Sequence, residues 1–189
     1  AKRELVRDFI KQVNPQTVWD LGANTGEFSR CASELNIPTV AFDIDQGAVQ
    51  QNYAIVKTKK EKFMLPLVMD LTNPSPAIGW HNQERDSMQA RGPVDLVMAL
   101  ALIHHMAIAN NVPLREVASS FSDFGEHLII EFVPKQDSQV RRLLSSRLDI
   151  FPDYTPEGFK NAFAEFYTIL DEKPVEGSER TLYLMKRKG

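Results

Sequence analysis

The stretch Val18-Trp19-Asp20-Leu21-Gly22-Ala23-Asn24-Thr25-Gly26 is an apolar run that closes on an acidic, glycine-punctuated turn. Thr17 to Leu21 is short, β-branched and aromatic, as a strand requires, whereas Glu27 to Asn36 carries apolar residues at helical spacing. Strand, tight turn and helix in that order make the ligand-binding corner of an α/β fold. The glycines permit backbone angles closed to other residues, and the start of a helix offers unpaired N–H groups. A dinucleotide-binding turn would read Gly-x-Gly-x-x-Gly. Here Asn24 holds the second glycine position and Gly26 is out of register with the third. Asp20 at the strand end would repel a pyrophosphate but suit a cationic group, which points away from NAD.

The pattern repeats downstream. A helical stretch containing Leu5, Val6, Phe9, Ile10 and Val13 stops at Asn14-Pro15, because the residue before a proline is driven out of the α region. The apolar run Pro38 to Phe42 ends in Asp43-Ile44-Asp45, with Asp43 lying 21 positions beyond Gly22. A carboxylate at that place in nucleotide-binding α/β folds accepts ribose hydroxyls, since the second strand ends at the same edge as the first; a helix cap is the other reading. Asp45 is the expected N-cap of a helix over 48–60, whose closing lysines suit its negative end. A third strand, Phe63 to Met69, delivers Asp70-Leu71-Thr72. Three successive strands each closing on an aspartate favour one shared ligand.

Asn73 to Pro93 reads as a long polar connection holding Trp80, either a lid or a plug under the loop, and a surface His81. Val94 to Leu100 is nearly continuous in apolar residues, as in a strand covered on both faces, and is the expected central strand. It runs into Ala101-Leu102-Ile103-His104-His105-Met106. A histidine titrates near neutrality and can take a proton from a nucleophile. Neighbouring helical side chains diverge, so the two rings are not equivalent, and packing or capping is the alternative role. After a helix over 114–121, ended by Gly125, Glu131 interrupts the apolar strand His127 to Pro134. A carboxylate there is costly unless paired. It serves the substrate or proton transfer, or pairs with Lys135 or Arg141. Asp137 to Leu148 is an amphipathic helix, Thr155-Pro156 starts another, and Phe151, Asp153 and Tyr154 border the substrate mouth or decorate the surface. Phe166 to Leu170 and Thr181 to Met185 form a final hairpin.

Asp20-x-Gly22-x-x-x-Gly26 resembles motif I of the class I S-adenosylmethionine-dependent methyltransferases, which most often have Gly where this chain has Asn24. The resemblance covers nearly the whole chain. In that family an acidic residue at the place of Asp70 meets the adenine amine, and the segment Ala101 to Met106 is similar to the motif IV region of many small-molecule methyltransferases. A terminal antiparallel hairpin closes the family's sheet, whereas ordinary dinucleotide folds lack it. Ala99 to Val112 together with Glu131 to Gln139 also looks like bacterial nodulation-type (NoeA-like) methyltransferases. The resemblance implies an α/β fold: a three-layer, doubly wound sheet of about seven strands, mostly parallel, with a C-terminal antiparallel hairpin. It implies S-adenosylmethionine as cofactor, held by Asp20, Gly22, Asn24, Gly26, Asp43, Ile44, Asp70, Leu71 and Ala99. His104, His105 and Glu131 are the catalytic candidates. The Asn/Asp-Pro-Pro-aromatic signature of amino-group methylation is missing after the fourth strand, and Cys31 is misplaced for attack on a pyrimidine. A small-molecule acceptor is therefore expected. The competing functions are a non-catalytic cofactor-binding module of a larger protein and an NAD-dependent oxidoreductase, the latter weakened by Asn24 and the hairpin.

The 189 residues, 43% hydrophobic, suffice for one domain, and the start at Ala1 inside a helical pattern suggests a piece of something longer. A net charge of −3 and a pI near 5.8 disfavour nucleic acid as partner. Lys186-Arg187-Lys188 is expected as a solvated strand end. One cysteine allows no internal disulfide, and Cys31 belongs to a buried helix face. No ligand spacing suggests zinc. Without a span of about 18 apolar residues or a signal peptide, a soluble, cytoplasmic protein is expected.

Overall fold

The computed structural model describes all of residues 1–189. Seven strands form one sheet: β1 (Val18–Leu21), β2 (Thr39–Asp43), β3 (Met64–Val68), β4 (Val94–Ala99), β5 (Gly125–Phe132), β6 (Tyr167–Pro174) and β7 (Thr181–Arg187), in the order β3-β2-β1-β4-β5-β7-β6. The first five run parallel; β7 is antiparallel to both β5 and β6. Strand β4 sits in the middle, as its unbroken apolar run requires. Pro66 is tolerated because β3 is an edge strand. Phe63 accepts from Thr39 and Met69 donates to Asp43, so residues of odd number bond β2, and the nitrogen of Pro66 faces away from the ladder.

Helices cover both faces: α1 (Lys2–Val13), α2 (Arg30–Ser33), α3 (Gln46–Lys59), α4 (Leu114–Phe124), α5 (Ser138–Leu144) and α6 (Pro156–Ala164). Side chains alternate across a strand, so each central strand feeds two cores. Val18, Leu96, Met98 and Ile129 pack with Val6, Phe9 and Ile10 of α1 and with Cys31 of α2. Trp19, Leu21, Val97, Ala99, Leu128, Ile130 and Phe132 pack on the opposite face with Val117 and Phe121 of α4 and with Phe159 and Phe163 of α6. The same alternation sends Asp20 and Glu131 toward the α1 layer.

Local chemistry sets the ends of several helices. Asn14 takes a left-handed conformation at the C-terminus of α1. Asp45 accepts the N–H groups of Gly47 and Ala48, and Thr155 accepts that of Gly158, satisfying donors that a helix start leaves free. Several boundaries differ from the sequence pattern. The helix expected over Glu27 to Asn36 contracts to α2, flanked by turns, because Arg30 reaches back to bond the Thr25 and Gly26 carbonyls. Helix α4 runs three residues further, to Phe124; Gly125 ends it as expected and also opens β5, two residues before the expected strand start at His127. Helix α5 stops at Leu144, and the hairpin strands are longer than their apolar cores.

Trp80 is not a core plug. Its side chain is 79% exposed, beside His81, in a short 3₁₀ turn. Tyr154 belongs to the core, not the surface: its hydroxyl donates to the Val133 carbonyl at 2.8 Å and its ring packs on Phe132. No helix is long and apolar enough to cross a membrane.

Phe159 is wholly buried among Phe132, Phe163 and Tyr183, with ring centroids 4.5–5.1 Å away. Phe159→Ala is expected to cost about 3–5 kcal/mol in urea unfolding, the range for an aromatic removed from a packed core. The exposed Leu148→Ala control should stay within about 0.5 kcal/mol.

Candidate active site

Strand order reverses between β1 and β4, since β2 and β3 extend one way and β5 the other. Their connections leave in opposite directions and open a crevice at the carboxyl ends. Two cavities lie there. The larger, about 640 Å³, is lined by residues including Gly22, Asn24, Asp43, Ile44, Asp70, Leu71, His104 and His105. The smaller, about 210 Å³, is lined by Lys2, Asp20, Thr25, Glu27 and Phe28. Gly22, Asn24, Leu100 and Ala101 border both.

The turn between β1 and α2 is shaped by three left-handed residues, Gly22, Asn24 and Gly26. A Cβ on Gly26 would fall 2.4 Å from the Asn52 side chain, so glycine is required on two counts. Asn24, with φ 51°, stands where glycine is commonest in the resembled motif; asparagine is among the few other residues that visit this region readily. The departure from the motif therefore preserves its backbone shape. Arg30, buried beneath the turn, bonds the Thr25 and Gly26 carbonyls, Asn52 and Glu61, all at 2.9 Å. Sequence patterning gave no sign of this buried guanidinium.

Each carboxylate is anchored differently. Asp43 accepts the N–H groups of Asn24 at 2.7 Å and Asp45 at 2.8 Å, one on each oxygen, leaving each a further lone pair. It is thus both a turn brace and a cavity wall. Asp70 takes the backbone N–H and hydroxyl of Thr72 on one oxygen; these bonds hold its carboxyl below the usual range. Asp20 is 2% exposed, and only the Ser29 hydroxyl donates to it, at 2.6 Å. Burial pushes its carboxyl up to about 7, against the opposing pull of Ser29 and Lys2.

At the other end, Ala101 takes φ 50° just after β4, an uncommon conformation for alanine that costs about 1–2 kcal/mol. A π-helical turn over His105–Ala109 follows, a feature frequent at functional sites. Both histidines line the larger cavity, with rings 4.2 Å apart. They differ sharply: His104 is 1% exposed with Nδ1 unpartnered, whereas His105 is exposed at the surface. Burial, aided by His105 and Arg180, drives His104 down to about 3; burial lowers His105 as well. At neutral pH His104 is an uncharged hydrogen-bonding group.

Three expected site residues stand outside the cavities. Ala99 is wholly buried in the core, and its place on the wall passes to Leu100 and Ala101. Gly26 shapes the turn from behind. Glu131, 0% exposed, takes a 2.7 Å bond from Lys2 Nζ, and its other oxygen lies 3.8 Å from Arg180. Its partners are not those the sequence suggested, since Lys135 pairs with Asp149. Strand pairing explains Arg180: Leu182 lies opposite Glu131, which puts Arg180 just past the end of β5. There Asp137, the N-cap of α5, receives it through two bonds of 2.7 and 3.1 Å. Arg180 and Gln139 line the larger cavity, and Lys2 the smaller. None of the three carried a recognisable signal, because each is placed by contacts distant in sequence. No group of three or more His, Cys, Asp or Glu side chains is arranged to share a metal ion.

The fold has parallels among solved structures. Magnesium protoporphyrin IX methyltransferase from Synechocystis PCC 6803, solved with bound SAH, superposes with a TM-score of 0.67 at 14% identity, over 99% of this chain and 82% of that one. The bifunctional kinase-methyltransferase WbdD superposes at 0.63 and 16%, over 98% of this chain and 38% of that one. The chain has the class I methyltransferase fold. In sequence it is 43% identical over 188 residues to the nodulation protein NoeA of Rhizobium meliloti strain 1021, covering 98% of this chain. That match makes it a homologue of NoeA, although it spans only 39% of the length of that relative. No family model matches the chain.

Asp20 supplies a test in the absence of any ligand. Its folded-state pKa lies above the ordinary 3.8, so the native protein binds the extra proton and loses stability as pH rises from 3.8 to about 7. At about 1.4 kcal/mol per pH unit the loss approaches roughly 4 kcal/mol. Asp20→Asn removes this dependence. The variant should unfold at higher temperature than the wild type at pH 8, with the gap closing toward pH 4, as followed by circular dichroism.

Proposed function

We propose that this domain binds S-adenosylmethionine and transfers its methyl group to a small-molecule acceptor. The observation that carries the reading is the meeting of Asp20, Asp43 and Asp70, from the ends of three neighbouring strands, on two joined cavities bordered by Gly22 and Asn24. The walls fit the cofactor's parts. Asp43 and Asp70 offer acceptors for ribose hydroxyls and an adenine amine between Ile44 and Leu71, and Asp20 offers a carboxylate to a cationic amino acid tail. The larger cavity is within the size range of small-molecule sites.

Bound there, the cofactor would supply an already activated methyl group, so the protein's part is alignment and, where the acceptor requires it, proton removal. His105 is the proton acceptor in this proposal, being accessible and beside the cavity. His104, neutral and with an unpartnered Nδ1, orients the acceptor or the His105 ring. Glu131 acts at a remove, by holding Lys2 and Arg180. A non-catalytic module would be expected to have a closed or wholly apolar acceptor side, whereas His104, His105, Gln139 and Asn110 make this wall polar.

Calorimetry with S-adenosylmethionine, S-adenosylhomocysteine and NAD tests the cofactor: the first two should bind and NAD should not, and NAD binding alone would overturn the proposal. Asp43→Ala should weaken cofactor binding by about 10- to 100-fold, the loss of one or two hydrogen bonds to a charged group. With labelled cofactor and small-molecule extracts, His105→Ala should lower transfer by about 100-fold or more without changing cofactor affinity.

A further inference from the structure

The acceptor end of the larger cavity is polar without carrying a free charge. Of the residues lining that cavity, Asp43, Asp70 and Arg180 are charged, and the two aspartates stand at the end assigned to the cofactor. Arg180 is already answered. Asp137 takes its Nε and Nη2 at 2.7 and 3.1 Å, and Glu131, 3.8 Å from Nη1, is itself paired with Lys2. Burial keeps the His104 ring uncharged. What this wall offers is a set of donors and acceptors. Asp137 brings two of them together, because the oxygen that takes Arg180 Nη2 also takes the backbone N–H of Gln139, at 2.8 Å. Arg180 Nη1 is too far from Glu131 for a hydrogen bond, and the exposed Gln139 amide bonds nothing within the protein, so both can face a ligand. Asn110 donates through Nδ2 to the His105 carbonyl at 2.8 Å, which leaves its Oδ1 as an acceptor. Leu102 and Met106 supply apolar surface to the same cavity.

We infer that the acceptor is an uncharged, polyhydroxylated molecule methylated on a hydroxyl oxygen, with Gln139, Asn110 and Arg180 Nη1 as the groups that recognise its other hydroxyls. The inference rests on the function proposed above and names the substrate class that the acceptor end admits. Charge decides between the alternatives. An acceptor carboxylate would have to draw Arg180 away from Asp137, and an ammonium would meet the guanidinium with no carboxylate left to receive it. Either leaves a charge short of its partner, which is costly away from water. A hydroxyl both donates and accepts, as the two amides do, and displaces no existing pair. In the reaction the acceptor oxygen forms a bond to the methyl carbon as the sulfonium S–C bond breaks and the sulfur keeps that electron pair. The hydroxyl proton passes to His105, whose ring is held below its ordinary value by burial, and from there to water. The products are a methyl ether and S-adenosylhomocysteine.

The experiment reads the chemistry of the product. The protein is incubated with S-adenosylmethionine carrying an isotope-labelled methyl carbon and with a small-molecule extract, and the new methyl group is assigned by NMR. A methyl ether on a molecule that bears further hydroxyls is the expected product; a methyl ester, an N-methyl or a C-methyl product would overturn the inference. Gln139→Leu should lower ether formation at limiting extract about 3- to 10-fold, the loss of one neutral hydrogen bond, and leave the affinity for S-adenosylhomocysteine within about twofold of the wild type. An unchanged rate, or a fall matched by an equal loss of S-adenosylhomocysteine affinity, would overturn the part given to Gln139. If the wild type binds the cofactor and passes label to nothing, the transferase reading falls instead of this choice of acceptor.

Discussion

The site depends on a topological constraint: adjacent parallel strands β1 and β4 send their chains to opposite sides, and the sheet cannot close over the gap between them. Everything that gives the gap chemistry is fixed by strand ends. Parallel register aligns Asp20 with Ala41 and Asp43 with Val68, so acidic residues that follow one another by tens of positions arrive at one edge. The turn after β1 then has to clear the space, which it does with left-handed residues clamped from below by Arg30.

A second consequence follows from strand alternation. Asp20 and Glu131 share the face that looks to α1, and a buried carboxylate on that face needs a counter-charge or a proton. Glu131 receives Lys2 from the start of α1 and has Arg180 nearby from the terminal hairpin, while Asp20 receives only a hydroxyl and is driven toward its neutral form. The contrast separates their roles. Glu131 has its counter-charges within the protein, with one oxygen bonded to Lys2 and the other making no hydrogen bond. Asp20 remains short of positive charge and is the group that a cationic ligand would complete.

Much of this was legible in the sequence, and what was not has a common physical cause. Strand identity, the central place of β4, the terminal hairpin and the caps at Asp45 and Thr155 are local properties, set by apolar patterning and by donors that must be satisfied within a few residues. The parity of Glu131 with Ile129 was legible too, but not its partners, because Lys2 and Arg180 lie 129 and 49 positions away. Arg30 was hidden inside an apparently regular helical pattern, which its own bonds to the preceding turn cut short. Ala99 was placed one step too early: the wall of the crevice begins only where β4 ends. Trp80 and Tyr154 show the limit of residue type as a guide, since the tryptophan is solvated and the tyrosine buried.

The account is tested most directly by the crystal structure of the domain with S-adenosylhomocysteine. Adenosine in the larger cavity, with Asp43 at the ribose and Asp70 at the base, and the amino acid tail beside Asp20 in the smaller one, is the predicted result. A nucleoside bound elsewhere, with the three aspartates facing only solvent and backbone, would contradict it.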